Sequence, residues 1–548
     1  MRAHLVLGVS VVLLAIAGSA VSHAFASHSA DHRLLIVHVD AVSFETFQEA
    51  LAEGLLPNIE KIFSDGVLRP ALTLFPGSTP VIYSRLSSGV ANDGPGALGI
   101  GGWRDAETME WVSEFSVRVQ LVASVPRRAQ SLFAYGWIAF PLAEATIFNL
   151  PALLERYRVV ETFWFATDTI GHLEGLEAQK ASLARLDQTL GRVVHALDLE
   201  RLNVILYSDH GMSAATEAVN LAAIIRQVLG DAVALASYPN IYLHESDQAA
   251  EAARLLGEPR HFDLVAYRRG PSTVRGYLDG YLFEIEEEYG AYSYRSESDP
   301  FGYARLGYDG EALDADRWLT LTIDHPYPGA VPNIYRYLQN PNAGDVMFAL
   351  NPPRLPEGFP QFVAHHYGVR NTDLLVPVLI RGPDLEQLLS EEPFWLHQLY
   401  QKVDVSLLTP TFKREENRLS VVFQPSTGAL RLDAQISPAY RWRMAGEATV
   451  AGQDAGRWGA YLEREVVADY LFRLWLGAGV TQGANDWSPS LRATLELDLG
   501  PLRVSPQLSL NQDGWQRGVR VELAFRLGPG RVAVTQAQGQ QLGLSYRW

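Results

Sequence analysis

Cysteine is absent from the 548 residues. That excludes disulfides, thiolate metal ligands and a lipid-modified cysteine anchor, whatever the redox state of the compartment. Any metal site must therefore use His, Asp, Glu or hydroxyl groups. Positive charge is also scarce: 45 Lys and Arg against 62 Asp and Glu give a formal charge of −17. With no basic stripe, a nucleic-acid polymer is not an expected partner, because displacing its counterions needs a basic surface. Beyond the N-terminal segment no stretch reaches the ~18 uncharged apolar residues of a spanning helix. What is present, 47% hydrophobic and 20% charged residues, is the composition of a folded chain with room for roughly two to four domains.

Residues 1–26 read as a signal peptide. Arg2 supplies the positive start, Leu5–Ala17 the apolar core, and Ala24-Phe25-Ala26 a small-x-small cleavage site. The core is shorter than the ~20 residues a spanning helix needs. The expectation is an exported chain that starts near Ser27.

From residue 31 to 412 short apolar runs alternate with helical patterns. Leu34–Val39, Phe163–Phe165, Val204–Tyr207 and Val376–Ile380 read as doubly buried parallel strands. Ser182–Leu197 places Leu183, Leu186, Leu190, Val193 and Val194 on one helical face. This is the pattern of an α/β layered domain. Residues 213–360 are less regular and rich in Tyr, Pro and Gly, as in a cap insert. Within them FEIEEEYGAYSYRSESDPFGY is acidic and aromatic and reads as a solvated cap surface.

After Thr411 the periodicity changes from helical to alternating. In Ser490–Leu499, Leu491, Ala493, Leu495, Leu497 and Leu499 face one way and Arg492, Thr494, Glu496 and Asp498 the other. Gly518–Leu527 and Ala439–Val450 repeat this alternation. A soluble β-sandwich alternates too. Strands of ~10 residues, charged inner faces and the C-terminal Gln541–Trp548 favour a transmembrane β-barrel, apolar towards lipid. That last stretch resembles the terminal signal of bacterial outer-membrane barrels, which the insertion machinery reads. Residues 415–548 are expected to form an antiparallel barrel of eight strands.

Three β-like runs end in a carboxylate: Asp40 after LLIVHV, Asp168 after Phe163–Phe165, and Asp209 after VILYS. Singly, each reads as a helix cap. Together they stand where ligands bind in open parallel sheets, outside the strands' carboxyl ends. No Lys or Arg adjoins any of the three, so metal ions are the economical counter-charge. His172, His210 and one of His365 and His366 supply neutral nitrogens. Six such donors suit two zinc-like ions, and two ions clamp the attacking and leaving oxygens of phosphoryl transfer.

The ordered set Asp40, Thr79, DTIGH (168–172), SDHGM (208–212) and His366 before VPVLIRGP resembles the alkaline phosphatase superfamily. Within it, the likeness is to the type I phosphodiesterase/nucleotide pyrophosphatase branch, and covers roughly residues 33–410. The resemblance implies one metal on Asp168, His172 and His366, and another on Asp40, Asp209 and His210. It implies Thr79 as nucleophile and metal ligand, since Phe75-Pro76 precede it and Ser88-Gly89 follow at the family's spacing. Ser78 is the rival hydroxyl; it opens a faint sulfatase-like pattern that fails because position 82 is Ile rather than Arg. The family's Asn three residues after the nucleophile is replaced by the same Ile82, and its His-Gly-Ile by Leu98-Gly99-Ile100. His365-His366-Tyr367-Gly368 leaves two candidates for the last imidazole, and spacing to Val376-Pro377 favours His366.

These readings lead to a hydrolase acting on phosphoric esters, using Thr79 and two divalent ions, best matched by Zn²⁺. It would be tethered to the outer-membrane lipid of a Gram-negative-type bacterium, with the catalytic domain in the periplasm. One alternative is a phosphotransferase or phosphatase acting on envelope lipid or lipopolysaccharide phosphates. Another is a non-catalytic outer-membrane binding or structural protein. Substrate, metal identity and oligomeric state are not set by the sequence.

Overall fold

The structure is a computed structural model that describes residues 32–403 and 418–547. Excepted are 95–97, 100–101, 114–128, 131–143, 145–146, 149, 157–158, 260, 358–361, 386–387, 389–392 and most residues between the C-terminal strands. The expected signal peptide and Trp548 lie outside the described residues.

Eight strands of the N-terminal part matter for the site: β1 Arg33–Val39, β2 Val67–Leu72, β3 Ala129–Gln130, β4 Val159–Trp164, β5 Leu202–Ser208, β6 Ala364–His365, β7 Leu375–Arg381 and β8 Phe394–Trp395. All but β6 form one sheet in the order β8-β2-β7-β5-β1-β4-β3. β1 lies parallel between β4 and β5, with Leu34 opposite both Val159 and Asn203. These three strands are buried almost throughout, as their apolar composition predicts.

The strand around Val376–Ile380 differs from expectation. β7 runs antiparallel to β5, with Val378 opposite Tyr207, and antiparallel to β2. Its apolar composition reports double burial and carries no direction. Direction comes from the connection: only the short helix Asn371–Leu374 separates the His366 loop from β7. A parallel entry would need a crossover of a dozen or more residues.

Three helices flank the site: α1 Thr79–Ser88, α2 Ala166–Glu174 and α3 Leu176–Val193. α3 starts six residues before the expected Ser182 and yields to a 3₁₀ turn at Val194–Ala196. Its first turns bury Gln179 and Lys180 rather than apolar residues, so hydrophobic periodicity misses them. Leu183, Leu186 and Leu190 pack with Leu35, Val37, Val160 and Val204 on one sheet face. Ile36, Ile205 and Tyr207 pack with Ile82 and Leu86 of α1 on the other. The two faces make the α/β sandwich.

Residues 233–349 contribute a second, eight-stranded sheet. The expectation of a solvated surface for FEIEEEYGAYSYRSESDPFGY holds only in part. Phe283, Tyr292, Tyr294, Phe301 and Tyr303 are buried and pack with Trp318, whereas Tyr289 at the turn is 98% exposed. Alternation along the hairpin Tyr281–Glu288 and Ala291–Arg295 sends aromatics inward and acids outward.

The C-terminal part holds ten strands rather than eight: β9 Arg418–Gln424, β10 Ala429–Ala439, β11 Trp442–Ala451, β12 Trp458–Ala468, β13 Phe472–Gln482, β14 Trp487–Leu499, β15 Leu502–Asn511, β16 Gly514–Leu527, β17 Gly530–Ala537 and β18 Gln541–Arg547. Neighbours pair antiparallel in sequence order, and β18 returns to β9 from Arg418↔Arg547 to Phe423↔Leu542, closing the sheet. Ten strands fit because several connections are minimal, such as residues 440–441, 500–501 and 528–529. Exposed along the strands are Val421, Phe423, Met444, Leu462, Leu476, Leu491, Leu508 and Val519. Buried inside are Asp433, Arg443, Glu463, Arg473, Arg492 and Glu496. Among the described residues no helix is long and apolar enough to cross a membrane, which says nothing of a β-barrel.

Candidate metal centre

The site collects where β1, β4 and β5 end. Asp40 directly follows β1, and Asp209 and His210 directly follow β5. β4 leads into α2, which carries Asp168 in its first turn and His172 one turn later. The i, i+4 spacing puts both on one helical face, with His172 Nε2 3.2 Å from Asp168 Oδ1. His366 follows β6, whose His365 is held opposite Ser213 by a short antiparallel pairing. His366 Nε2 lies 3.4 Å from Asp168 Oδ1 and 3.2 Å from His172 Nε2.

Two groups of ligand atoms converge: Asp168, His172 and His366, and Asp40, Asp168 and His210. The first is the set expected for one ion. The second shares Asp168 and includes Asp40 and His210. Asp209 adjoins it through Oδ2, 3.5 Å from His210 Nε2.

Thr79 opens α1, which is buried on the sheet side through Val81, Ile82 and Leu86. Its Oγ1 donates to Asp40 Oδ1 at 3.2 Å and lies 3.3 Å from His210 Nε2. Ser78 is the preceding N-cap residue and makes no side-chain capping bond. Ile82 is buried in the core, so the place of the family's Asn is apolar here. Leu98 is likewise a core residue.

Three imidazoles are oriented alike. His172 Nδ1 faces the Ala364 carbonyl at 2.7 Å, His210 Nδ1 the Gly211 carbonyl at 3.1 Å, and His366 Nδ1 the Gly77 carbonyl. A carbonyl only accepts, so each Nδ1 carries a proton and each ring turns its Nε2 to the centre. His365 is different: its Nε2 bonds the Arg354 carbonyl and its Nδ1 accepts from Tyr367 N. Both its nitrogens are committed to backbone, and His366 is the imidazole that faces Asp168.

The charges inside this cradle are mismatched. Burial pushes the Asp40 carboxyl well above its ordinary value, and nearby Asp209 and Asp168 push it further. Burial also opposes ionisation of Asp168, but His172 and His366 overcome it and hold its pKa well below the ordinary value. His172 is raised, because Asp168 outweighs the desolvation that would lower it. His366 is pushed down to about 4, by burial first and then by His210. Asp168 Oδ1 and Asp209 Oδ2 are buried and accept no hydrogen bond. Imidazole Nε2 atoms and buried carboxylate oxygens converge in two groups, and such a donor set fits divalent ions of the N/O-binding kind.

Comparison with known proteins adds the following. The family profile described as Type I phosphodiesterase / nucleotide pyrophosphatase matches residues 110–352. That span contains Asp168, His172, Asp209 and His210, whereas Asp40, Thr79 and His366 lie outside it. The match supports a hydrolase acting on phosphoester bonds. No curated protein matches. Among solved structures, murine ectonucleotide pyrophosphatase / phosphodiesterase 5 is 13% identical, covering 68% of this chain and 95% of its own, with a TM-score of 0.39. An inactive variant of the same protein in complex with AMP is 14% identical, covering 69% and 96%, with a TM-score of 0.40.

Asp40, Thr79, Asp168, His172, Asp209, His210 and His366 thus stand together where β1, β4 and β5 end. Two neighbours escape a sequence search. His38 sits in β1 with Nε2 3.4 Å from Asp209 Oδ1, and its signal is an imidazole inside an otherwise apolar strand. Asp373 receives hydrogen bonds from Ser213 Oγ and Gly368 N next to the His366 loop. Nothing in its sequence surroundings marks it.

Proposed function

We propose that this chain is a metal-dependent phosphoesterase of the type I phosphodiesterase/nucleotide pyrophosphatase family, working through Thr79 and two divalent ions and anchored in an outer membrane by its C-terminal barrel. The observation that carries the catalytic half is the set of three Nε2 atoms turned by backbone carbonyls toward buried, unsatisfied carboxylate oxygens.

Asp168, His172 and His366 would hold one ion, and Asp40, Asp209 and His210 the other. Zn²⁺ suits this donor set best. Bound cations supply charge neutralisation at the phosphoryl oxygens and make a hydroxyl easier to ionise. The chain's own contributions are positional. Asp40 Oδ1 accepts the Thr79 hydroxyl hydrogen, which turns the oxygen's lone pairs away from Asp40 and toward an incoming phosphorus. α1 presents its N-terminal end at Thr79, where free N–H groups favour an anionic phosphate. Thr79 displaces the first alcohol to give a phosphothreonine, and water then displaces Thr79. Ile82 offers no amide to a phosphate oxygen, which weighs against a nucleotide diester and towards a substrate held by other contacts.

The membrane half rests on the inverted surface of β9–β16 among the described residues, apolar outside and charged within. Connection lengths support an orientation. At the end where β9 begins, the connections are residues 440–441, 469–471, 500–501 and 528–529. At the other end they are 425–428, 452–457, 483–486, 512–513 and 538–540. Outer-membrane barrels keep short turns on the periplasmic side, which supports a periplasmic place for the catalytic part, since it precedes β9.

The test combines assay and address. Purified full-length protein is assayed on a phosphomonoester, a nucleotide diester and a lipid phosphodiester, before and after chelation and with Zn²⁺ added back. Turnover should vanish with chelator, return with Zn²⁺ and be lost in Thr79→Ala. Turnover surviving in Thr79→Ala would refute the covalent step, and protein without metal or activity on any ester would favour a binding role. Protease added to intact cells should spare the catalytic part.

A further inference from the structure

The carboxylate of Asp209 is held from one side only. Its Oδ1 accepts from Ala41 N at 3.2 Å, while Oδ2 has no hydrogen-bond donor. Behind Oδ1, 3.4 Å away, stands Nε2 of His38. His38 is 1% exposed, and its Nε2 has no hydrogen-bond partner. Asp209 Oδ1 is the one carboxylate oxygen within ion-pair reach of it among the described residues.

The ring cannot easily turn elsewhere. It stacks on Tyr207 at 4.7 Å and 14°, and tilts against Phe163 at 4.4 Å. Tyr83 of α1 lies parallel at 6.2 Å. Tyr207 is its cross-strand partner in β5, two residues before Asp209, just as His38 is two residues before Asp40. The imidazole therefore lies one layer beneath the ligands, held in place by aromatic packing. A buried N–H that finds no acceptor costs about 1–3 kcal/mol, so an apolar strand does not carry one idly.

We propose that His38 is a positioning residue for Asp209: its Nε2–H and Ala41 N–H converge on Oδ1, fixing the carboxylate so that Oδ2 is presented to the cation shared with Asp40 and His210. At 3.4 Å the contact is long for a hydrogen bond. Catalytic hydrogen bonds are often long in the empty site and tighten when it is filled. This inference rests on the two-cation reading above. It adds an outer-shell donor, on the strand side, to ligands otherwise oriented by backbone carbonyls.

Two variants separate the donor from the ring. His38→Phe keeps an aromatic body in the stack and removes the donor. His38→Gln loses the ring but carries an amide N–H at the reach of Nε2. Metal-free full-length protein of each kind is titrated with Zn²⁺, reading stoichiometry and stepwise affinity by calorimetry. The wild type should take two ions. His38→Phe should keep one at unchanged affinity and bind the other about 10–100-fold more weakly, the usual loss for an outer-shell partner. His38→Gln should restore the weakened step. If His38→Phe binds both ions as the wild type does, or His38→Gln fails to restore the step, His38 acts through packing alone and the inference is overturned. A wild type that takes fewer than two ions is a separate result: it overturns the two-cation reading, and this inference with it.

Discussion

Buried acids occur in both halves of this chain, and they are treated in opposite ways. In the barrel they are neutralised on the spot. Arg443 donates to Glu496 at 2.6 Å and to Glu463, Arg473 lies 3.1 Å from Glu496, and Arg492 donates to Glu447 at 3.0 Å. Trp475 lies beneath Arg443 at 4.1 Å, and the cavity left among these groups is only about 40 Å³. In the α/β part, Asp40, Asp168 and Asp209 face one another and histidines, with no Arg or Lys among their ion-pair partners in the described residues. Charge closed upon itself fills space; charge left open is arranged for something that arrives. Equal burial therefore does not mean equal purpose.

The sharpest break of that comparison is at Asp168, which belongs to both ligand groups. Asp168→Asn keeps the shape and removes the charge. Zn²⁺ binding and phosphoester turnover should both fall by more than about 100-fold, exceeding the usual loss of an outer-shell partner. Near-normal metal content by elemental analysis would show that the open cluster is not a cation site.

On the barrel side, Arg443→Met removes the cation that faces buried Glu463, while Glu496 keeps Arg473. Leaving a buried charge unpaired costs about 3–5 kcal/mol, to be read as a lower unfolding temperature of the heat-modifiable band on gels. The double change Arg443→Met with Glu463→Leu should recover most of that, because Glu496 keeps Arg473. Equal damage in both would mean that the lumen charges do more than neutralise one another.

Asp373 is a third kind of buried acid, with hydrogen bonds but no ion pair among the described residues. Burial lifts its pKa from 3.8 to about 7, against the pull of Ser213 and Gly368. A raised folded pKa means that the unfolded chain releases this proton first. Stability is therefore full below about pH 4 and declines as pH rises through about 7. At ~1.4 kcal/mol per unit the decline is at most about 4 kcal/mol. Asp373→Asn should flatten this part of the stability–pH curve in urea titrations of the full chain, and an unchanged slope would contradict it.

The smallest effect is expected at Glu161, a buried acid met by tyrosine hydroxyls: Tyr400 at 2.8 Å, Tyr83 at 3.2 Å and Tyr207 at 3.4 Å. Tyr83→Phe removes one of these donors and should cost about 1 kcal/mol, with turnover unchanged. A large loss of turnover would instead tie this cluster to the placement of Thr79, one helical turn earlier.

The candidate site was legible in the sequence because its ligands close apolar runs, and the end of a run is visible along the chain. Asp40 and Asp209 are of this kind, and the 168–172 spacing needs only helical geometry. His38 was not legible, since its meaning depends on Asp209, 171 positions later, arriving on the neighbouring strand. The choice between His365 and His366 likewise waited for the backbone carbonyl of Arg354 to claim one of them.

Local chemistry by itself determined which strands are buried on both faces, which residues could ligate a cation, and that the last third alternates with period two. Tertiary structure decided the direction of β7, the closure of ten strands instead of eight, the sharing of Asp168 between two ligand groups, and which buried charges are paired. The physical reason is common to all four. Burial and side-chain type are written residue by residue, whereas direction, closure and pairing belong to contacts between segments far apart in the chain.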